Sequence, residues 1–496
     1  MNALRPHNQP SGRPDFDRGF VHAMGLAGRR LRVDSRLVKP GDVFAAVPGH
    51  RVDGRAFIDA AVAAGASAVL WDPVGVEALQ IDIPNQAVPD LAWRLGWIAA
   101  EIAGHPGRPL WTVGITGTNG KTTCSHWLAS GLSHAGRRCG RIGTLGYGID
   151  ALTPLPNTTP DGAALQDILG ELRGAGADAV AMEVSSHGLA QGRVNGIEFD
   201  VAVFTNLTRD HLDFHGSLEA YGQAKARLFH WDELQYAVVV TNQPFGAQLA
   251  DSIDSSRTEV VTVGHRGEVR PEGVRATAEG LSFRLASPWG HAEVKAPVVG
   301  MFNVDNLSCV LAAMLVSGVP LDEAAAAAAD FLPVDGRMQV LRRADGPTVV
   351  VDYAHTPDAL EQALASLRSS VPSGGRLHCL FGCGGERDPG KRPMMGEVAA
   401  RLADRVVLTS DNPRSEDPAA IIAQVCTGVS SAGELLIEPD RARAIALALA
   451  DARAGDIVLL AGKGHETTQE IGGQKLPFSD IAYARAALDG WQRSAA

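Results

Sequence analysis

Residues 113–123, VGITGTNGKTT, place a glycine-rich turn between an apolar run and a helical one. Gly117 and Gly120 allow the backbone to approach a phosphate closely, and the N–H groups at a helix start face it. Thr118 and Asn119 lie in the turn, Lys121 supplies charge, and the Thr122 hydroxyl can ligate magnesium before Thr123 enters the helix. The four residues ahead of Gly120 follow Ile115 and not a glycine, so this is a variant of the usual phosphate loop. ATP binding is the chemistry implied; a glycine turn capped by threonine is the bland alternative.

Two more apolar runs end in polar chemistry. Glu183 follows AVAM, where a carboxylate could orient magnesium or a water beside a phosphate loop. NLTRDHLDFHG (206–216) gathers Asp210, His211, Asp213 and His215. A zinc site or a capped turn would also fit that cluster, although zinc is the weaker choice without a cysteine pair or an HExxH helix. No NKxD occurs, which counts against a GTPase.

LTSDNPRSEDP (408–418) links an apolar run to an amphipathic one. An Asx-Pro turn needs no arginine, yet Arg414 is there. Only seven of the 45 basic residues are lysines, and Lys121, Lys225, Lys391 and Lys463 fall inside distinctive segments. Each could use a compact amine that loses its proton, which arginine does not. Codon bias explains the scarcity equally well.

These residues need strands to hold them. Residues up to about 107 contain strand-like DVFAAV and SAVLWD around the helical FIDAAVAAG, and GHPGRP (104–109) reads as a linker. Strand-like LWTVGIT, DAVAMEV, DVAVFTN and YAVVVTN then alternate with helical runs, among them AALQDILGEL, where Leu165, Ile168, Leu169 and Leu172 keep helical spacing. A second alternation follows PVDGRMQV, with TVVVDYAH, LHCLFGCGGERD, RVVLTSDNPR and DIVLLAGKGHE. Continuous apolar strands between helices predict parallel sheets covered on both faces, with ligands at the carboxyl edge. The chain of 496 residues exceeds one core, so an α/β protein of three domains is expected: 1–107 (1–20 a loose extension), 108–336 and 337–496.

A net charge of −11 supplies no basic footprint for nucleic acid or a membrane surface. The polar, proline-containing N-terminus lacks a signal peptide's apolar core, and no apolar run reaches the ~18 residues of a membrane span. A cytoplasmic protein is expected, and its six cysteines, which include no CxxC pair, are expected to be reduced and mostly buried.

Taken in order, GITGTNGKTT, EVSSHGL, NLTRDHLDFHG, AYGQAKARLF, GMFNVDN, DYAHTPDAL, GERDPGKRP, DNPR and GKGHE resemble the Mur ligase family from about residue 34 onward. GTNGKT alone would mark only a superfamily that includes folylpolyglutamate synthase. The resemblance implies a small N-terminal α/β domain binding UDP, a central P-loop-type ATPase domain and a C-terminal Rossmann-like domain for the acceptor amino acid. It implies an ATP-dependent ligase that uses Mg2+ and makes an amide through an acyl phosphate during peptidoglycan precursor synthesis. Small-molecule substrates and a monomer are expected.

Carried over by position, residues 117–123 hold the ATP phosphates, and Asn303, Asn306, Arg337 and Asp352 contact the rest of the nucleotide. Thr122, Glu183, His211 and a carbamylated Lys225 surround magnesium, with Lys121 beside them. Val33, Ser35, His50, Arg51 and Val52 match the uridine site; Asn157, Thr158, Thr159, Ser185, Gln191 and Arg193 match the muramoyl-dipeptide site. Arg392, Asp411, Asn412, Pro413, Arg414, Gly462 and Glu466 match an acceptor site for meso-diaminopimelate, whose extra carboxylate a bidentate arginine would read. Lysine-adding relatives generally lack the arginine of DNPR. A same-family enzyme with a lysine or glutamate acceptor is the nearest alternative, and a nucleotide-driven switch protein is a remoter one.

Overall fold

The structure is a computed structural model, and it describes residues 19–49, 52–76, 80–277, 280–343, 345–368, 370–429 and 433–491. His50 and Arg51, expected at the uridine site, lie outside the described residues.

Three parallel or mostly parallel sheets follow one another along the chain. The first pairs Leu31–Arg32, Val43–Ala46, Ala68–Trp71 and Asn85–Ala87, all parallel. The second has seven strands, ordered Glu259–Val263, Tyr236–Val240, Val201–Phe204, Trp111–Thr116, Ala179–Glu183, Cys139–Gly143 and Gly146–Gly148. Only its last pair is antiparallel. The third runs Gln339–Leu341, Thr348–Asp352, Ile457–Ala461, Leu377–Phe381, Arg405–Leu408 and Glu434–Ile437, with only the first pair antiparallel. Every strand expected from the apolar runs forms.

Burial explains the continuous apolar strands. Residues of Ile457–Ala461 and Ala179–Glu183 are buried throughout, because helices cover both faces of each sheet. The helix Gly162–Gly174 starts at Asp161, whose carboxylate accepts from the Ala163 and Ala164 N–H groups at 3.0 Å. Such a cap contributes about 1 kcal/mol. Leu165, Ile168, Leu169 and Leu172 line its buried face and join the core beneath the seven-stranded sheet.

Additional strands lie outside the expected alternation. Arg270–Thr277, Gly280–Ser287 and Gly290–Ala296 form a separate antiparallel sheet, and Glu434–Ile437 edges the third sheet. All six cysteines are free and all but Cys426 are buried. No helix among the described residues is long and apolar enough to cross a membrane.

Candidate active site

The strand Trp111–Thr116 sits centrally, between Ala179–Glu183 and Val201–Phe204, so its carboxyl end opens at the point where strand order reverses. The phosphate loop leaves that end and runs into the helix Lys121–His134. Gly120 has φ +87°, and a Cβ there would lie 2.4 Å from Asn306 Oδ1, so both backbone conformation and space require glycine. The loop is held from the next strand end: Asn119 N donates to Asn206 Oδ1 at 2.9 Å and Thr118 N to the Asn206 carbonyl at 2.9 Å. Lys121 Nζ arches back over the loop to the Gly117 and Thr118 carbonyls, at 2.8 and 2.9 Å.

Glu183 is buried at the neighbouring strand end. Its Oε2 accepts from Thr122 Oγ1 at 2.9 Å and Thr144 Oγ1 at 3.1 Å, while Oε1 accepts from Thr144 N at 2.9 Å. A hydroxyl and a carboxylate at one point form a hard oxygen donor set, which suits magnesium that also takes phosphate oxygens and water. Among the described residues no group of three or more His, Cys, Asp and Glu forms a metal cage, so the zinc alternative for residues 206–216 has no support there. His211 does flank this corner: its ring lies edge-on to His187, and Asp210 Oδ2 is 3.3 Å from its Nε2. Burial keeps its imidazole neutral, with the pKa pushed down to about 3 against the pull of Asp210. Burial raises Asp210 itself, but His355, His211 and Lys391 outweigh that and hold its carboxyl below the usual range.

Lys225, on the helix Leu218–Ala226, is wholly enclosed. Its Nζ donates to the Gly117 carbonyl at 2.8 Å and lies 4.2 Å from the centre of the Tyr221 ring. Burial first, and the Lys121 charge second, depress its pKa far below a lysine's ordinary value. The shift favours the neutral, nucleophilic amine over the ammonium.

Thr118–Thr123, Glu183, Ser185, His211, Lys225, Asn303, Asn306, Arg337 and Asp352 line one cavity of about 800 Å³. The third-sheet region closes it. Arg337 Nη2 reaches Thr122 Oγ1 at 3.2 Å, and its guanidinium lies over the Tyr353 ring at 4.4 Å. Asp352 is fixed by the Met338 and Ala354 N–H groups, and burial raises its pKa. Asn306 Nδ2 donates to Asn303 Oδ1 at 2.9 Å in the first turns of the helix Phe302–Val316.

The residues expected to hold the dipeptide divide. Thr158 lines the cavity, bonded to Thr144, and Thr159 is buried behind it with its hydroxyl on the Glu183 carbonyl at 3.0 Å. Arg193 donates to the Thr159 carbonyl at 2.9 Å and to Gln191 Oε1 at 2.8 Å, while Asn157 is exposed. Val33, Ser35 and Val52 belong to the first-sheet region and do not line this cavity.

The residues expected at the acceptor site form a second cluster at the carboxyl edge of the third sheet. Lys463, wholly buried, donates to Asn412 Oδ1 at 3.1 Å and Glu466 Oε2 at 2.7 Å, and Asn412 Nδ2 donates to the same Glu466 oxygen at 2.8 Å. Asp411 lies against Gly462, where a Cβ would come within 2.5 Å of its carboxylate. Arg414 has φ +54°, donates to the Gly385 carbonyl at 2.6 Å, and keeps Nε 3.7 Å from Glu470. A Cβ on Gly385 would meet the Pro413 carbonyl oxygen at 2.0 Å, so the two loops touch through glycine.

Arg392 corrects the expectation. It is buried, with its guanidinium bound to Glu416 at 2.9 and 3.0 Å, to Gln424 at 2.8 Å and to the Gly384 carbonyl at 3.1 Å. Both Nη groups are engaged and only the buried Nε has no partner, so Arg392 braces this loop from behind and has no free two-pronged fork for a carboxylate. Arg387, five residues earlier in the loop that precedes the helix Lys391–Leu402 bearing Arg392, is exposed; a Cβ on Gly384 would meet Arg414 Nη1 at 3.2 Å and Arg387 Cγ at 3.6 Å. GERDPGKRP contains both arginines, and nothing in its letters says which side chain turns inward. Arg441 was also unmarked: its wholly buried pair with Asp480, at 2.7 Å, carries Nη2 to the Ala461 carbonyl just before Gly462.

Comparison with known proteins agrees with this geometry. Residues 29–101 match the Mur ligase family catalytic domain, 115–314 the Mur ligase middle domain, and 336–464 the Mur ligase glutamate ligase domain. The UDP-N-acetylmuramoyl-L-alanyl-D-glutamate--2,6-diaminopimelate ligase of Chromobacterium violaceum is 54% identical, covering 96% of this chain and 98% of its own. The enzyme of the same name from Pseudomonas aeruginosa is 48% identical, covering 94% and 96%. A solved UDP-N-acetylmuramoyl-L-alanyl-D-glutamate--2,6-diaminopimelate ligase superposes with TM-score 0.66 at 38% identity, covering 93% and 94%. MurF of Thermotoga maritima in complex with ADP, at 21% identity, shares the fold with TM-score 0.68 over 94% and 98%. On these matches, which run through all three sheet regions, the chain belongs to the Mur ligase family.

Proposed function

We infer that this chain is an ATP-dependent ligase that adds meso-diaminopimelate to UDP-N-acetylmuramoyl-L-alanyl-D-glutamate, working in the cytoplasm on a peptidoglycan precursor. The observation that carries the reading is Arg414, held by Gly385 and flanked by Arg387, beside the Asn412–Glu466–Lys463 cluster. Arg414, with Arg387 on the facing loop and the Glu466 carboxylate in the neighbouring cluster, suits an acceptor whose distal end bears both a carboxylate and an ammonium. Lysine lacks that carboxylate and would leave the arginines unpaired.

A carboxylate does not acylate an amine directly, because its charge repels the nucleophile and oxide is a poor leaving group. Transfer of the γ-phosphoryl group from ATP to the substrate carboxylate gives an acyl phosphate and ADP; amine attack then expels phosphate and releases a proton. The phosphate-loop N–H groups, Lys121 and Arg337 neutralise charge on the transferring group. Magnesium, held by Thr122 and Glu183 with His211 near, would draw charge from the phosphate oxygens. Lys225, enclosed and with its amine biased towards the neutral form, is suited to add to carbon dioxide as a carbamate, losing a proton and placing an anion at the cavity wall.

Three functional units are proposed: 1–107 for uridine through Val33, Ser35 and Val52, 108–336 for ATP and the dipeptide, and 337–496 for the acceptor, with the protein acting as a monomer. The test is mass spectrometry of product formed from ATP, Mg2+, the nucleotide-linked dipeptide and meso-diaminopimelate. The tripeptide product is expected, and its absence would contradict the reading.

A further inference from the structure

Arg209 and Asp210 are adjacent in the loop after the strand Val201–Phe204, and each meets a residue of the third-sheet region. Asp210 faces His355 at 3.6 Å. Arg209 Nε donates to Asp388 Oδ2 at 3.0 Å, with Nη2 at 3.4 Å from Oδ1. Asp388 follows Arg387 directly, and its Oδ1 also accepts from the Gly390 N–H at 2.9 Å. One carboxylate thus shapes the acceptor loop and fastens it to the loop that carries Asp210 and His211.

Gly390 tightens the contact. Its φ of −64° suits any residue, so its backbone conformation does not demand glycine. A Cβ there would lie 2.6 Å from Arg209 Nη2, and the next nearest atom, Asp388 Oδ1, is at 3.1 Å. The missing side chain leaves room for the guanidinium.

Asp388 is buried, whereas the Arg209 side chain is 41% exposed. Such a pair contributes orientation more than stability. Orientation matters here because a misplacement of about 1 Å costs up to 100-fold in rate.

We propose that the Arg209–Asp388 ion pair is a positioning strut that seats the acceptor loop on the ATP-binding region, and so serves amine attack and not carboxylate phosphorylation. The proposal deepens the ligase reading above and depends on it.

The test is a double-mutant cycle on the full-length protein with Mg2+ and ATP, reading two half-reactions. Acyl-phosphate formation is trapped by borohydride without acceptor, and amide formation is followed against meso-diaminopimelate concentration. Asp388→Asn keeps an oxygen for the Gly390 N–H while removing the charge. Asp388→Asn and Arg209→Gln are each expected to slow amide formation about fivefold, mainly through KM for the acceptor, with trapped acyl phosphate within about twofold. The double variant is expected to match the singles and not to reach about 25-fold. Gly390→Ala, which keeps both charges, is expected to give the same split. Multiplying effects, equal loss in both half-reactions, or unchanged kinetics in all three single variants would overturn the strut. A wild-type protein forming neither acyl phosphate nor amide would overturn the ligase reading itself.

Discussion

Lys225 Nζ lies 2.8 Å from the carbonyl oxygen of Gly117, so an enclosed amine touches the first glycine of the phosphate loop. Its depressed pKa favours the neutral amine, the form that carbamylation requires. Protein equilibrated with ¹³C-bicarbonate should therefore show a carbamate carbon resonance that Lys225→Arg lacks. The variant should lose about 100-fold or more in kcat, because an anionic group in a closed site would be replaced by a cation. Full activity in Lys225→Arg would exclude the modification as a working part.

Arg337 reaches from one sheet region to Thr122 Oγ1 in another, across the mouth of the cavity. Removing it takes a charge from the nucleotide and a contact from closure. Arg337→Ala should raise KM for ATP about tenfold or more and lower kcat, a charge-assisted contact being worth about 1.5–3 kcal/mol. Arg337→Lys should recover little, since a lysine lacks the planar fork and the stack on Tyr353.

Arg387 and Arg392 should separate cleanly. Arg392→Ala empties a buried site and removes the bonds to Glu416, Gln424 and the Gly384 carbonyl, so it should destabilise the protein by about 3 kcal/mol, visible as a lower thermal midpoint. Arg387→Ala should leave the midpoint unchanged and raise KM for meso-diaminopimelate about tenfold. The reverse pattern would return Arg392 to the acceptor site.

His465 gives a pH dependence with a definite sign. Burial first, and Arg337 second, push its pKa down to about 4, below the ordinary value of about 6.5. Between those values the unfolded chain binds a proton that the folded protein does not, so stability rises with pH there and falls on acidification from 6.5 towards 4. Denaturant titrations across that window should show a shallower slope in His465→Gln than in wild type. NMR titration of the ring should find it neutral at pH 6.

The alternation of apolar runs made the two large sheets readable, because strands buried on both faces must be continuously apolar. The strand ends were readable as well: residues 118–123 and Glu183 line one cavity, joined there by Lys225 from a helix more than 100 residues beyond the first of them. The antiparallel strands between 270 and 296 were not: the outer two carry few apolar residues, and the middle one, GLSFRLAS, shows a period-two alternation of Leu281, Phe283 and Leu285 in place of a continuous apolar run. Nor could letters decide between Arg387 and Arg392. That choice depends on Glu416 and Gln424, which reach Arg392 from the following loop and helix. Arg209 and Asp388 stood in recognised segments, but only tertiary structure joins two residues 179 positions apart.

The most direct measurement is ADP release with UDP-N-acetylmuramoyl-L-alanyl-D-glutamate, comparing meso-diaminopimelate with L-lysine in wild type and Arg414→Ala. The account predicts acceptor-dependent release with meso-diaminopimelate, at least about 100-fold lower kcat/KM with lysine, and loss of that preference in Arg414→Ala. Release without any acceptor, equal turnover with lysine, or an Arg414→Ala variant that keeps the preference would contradict it.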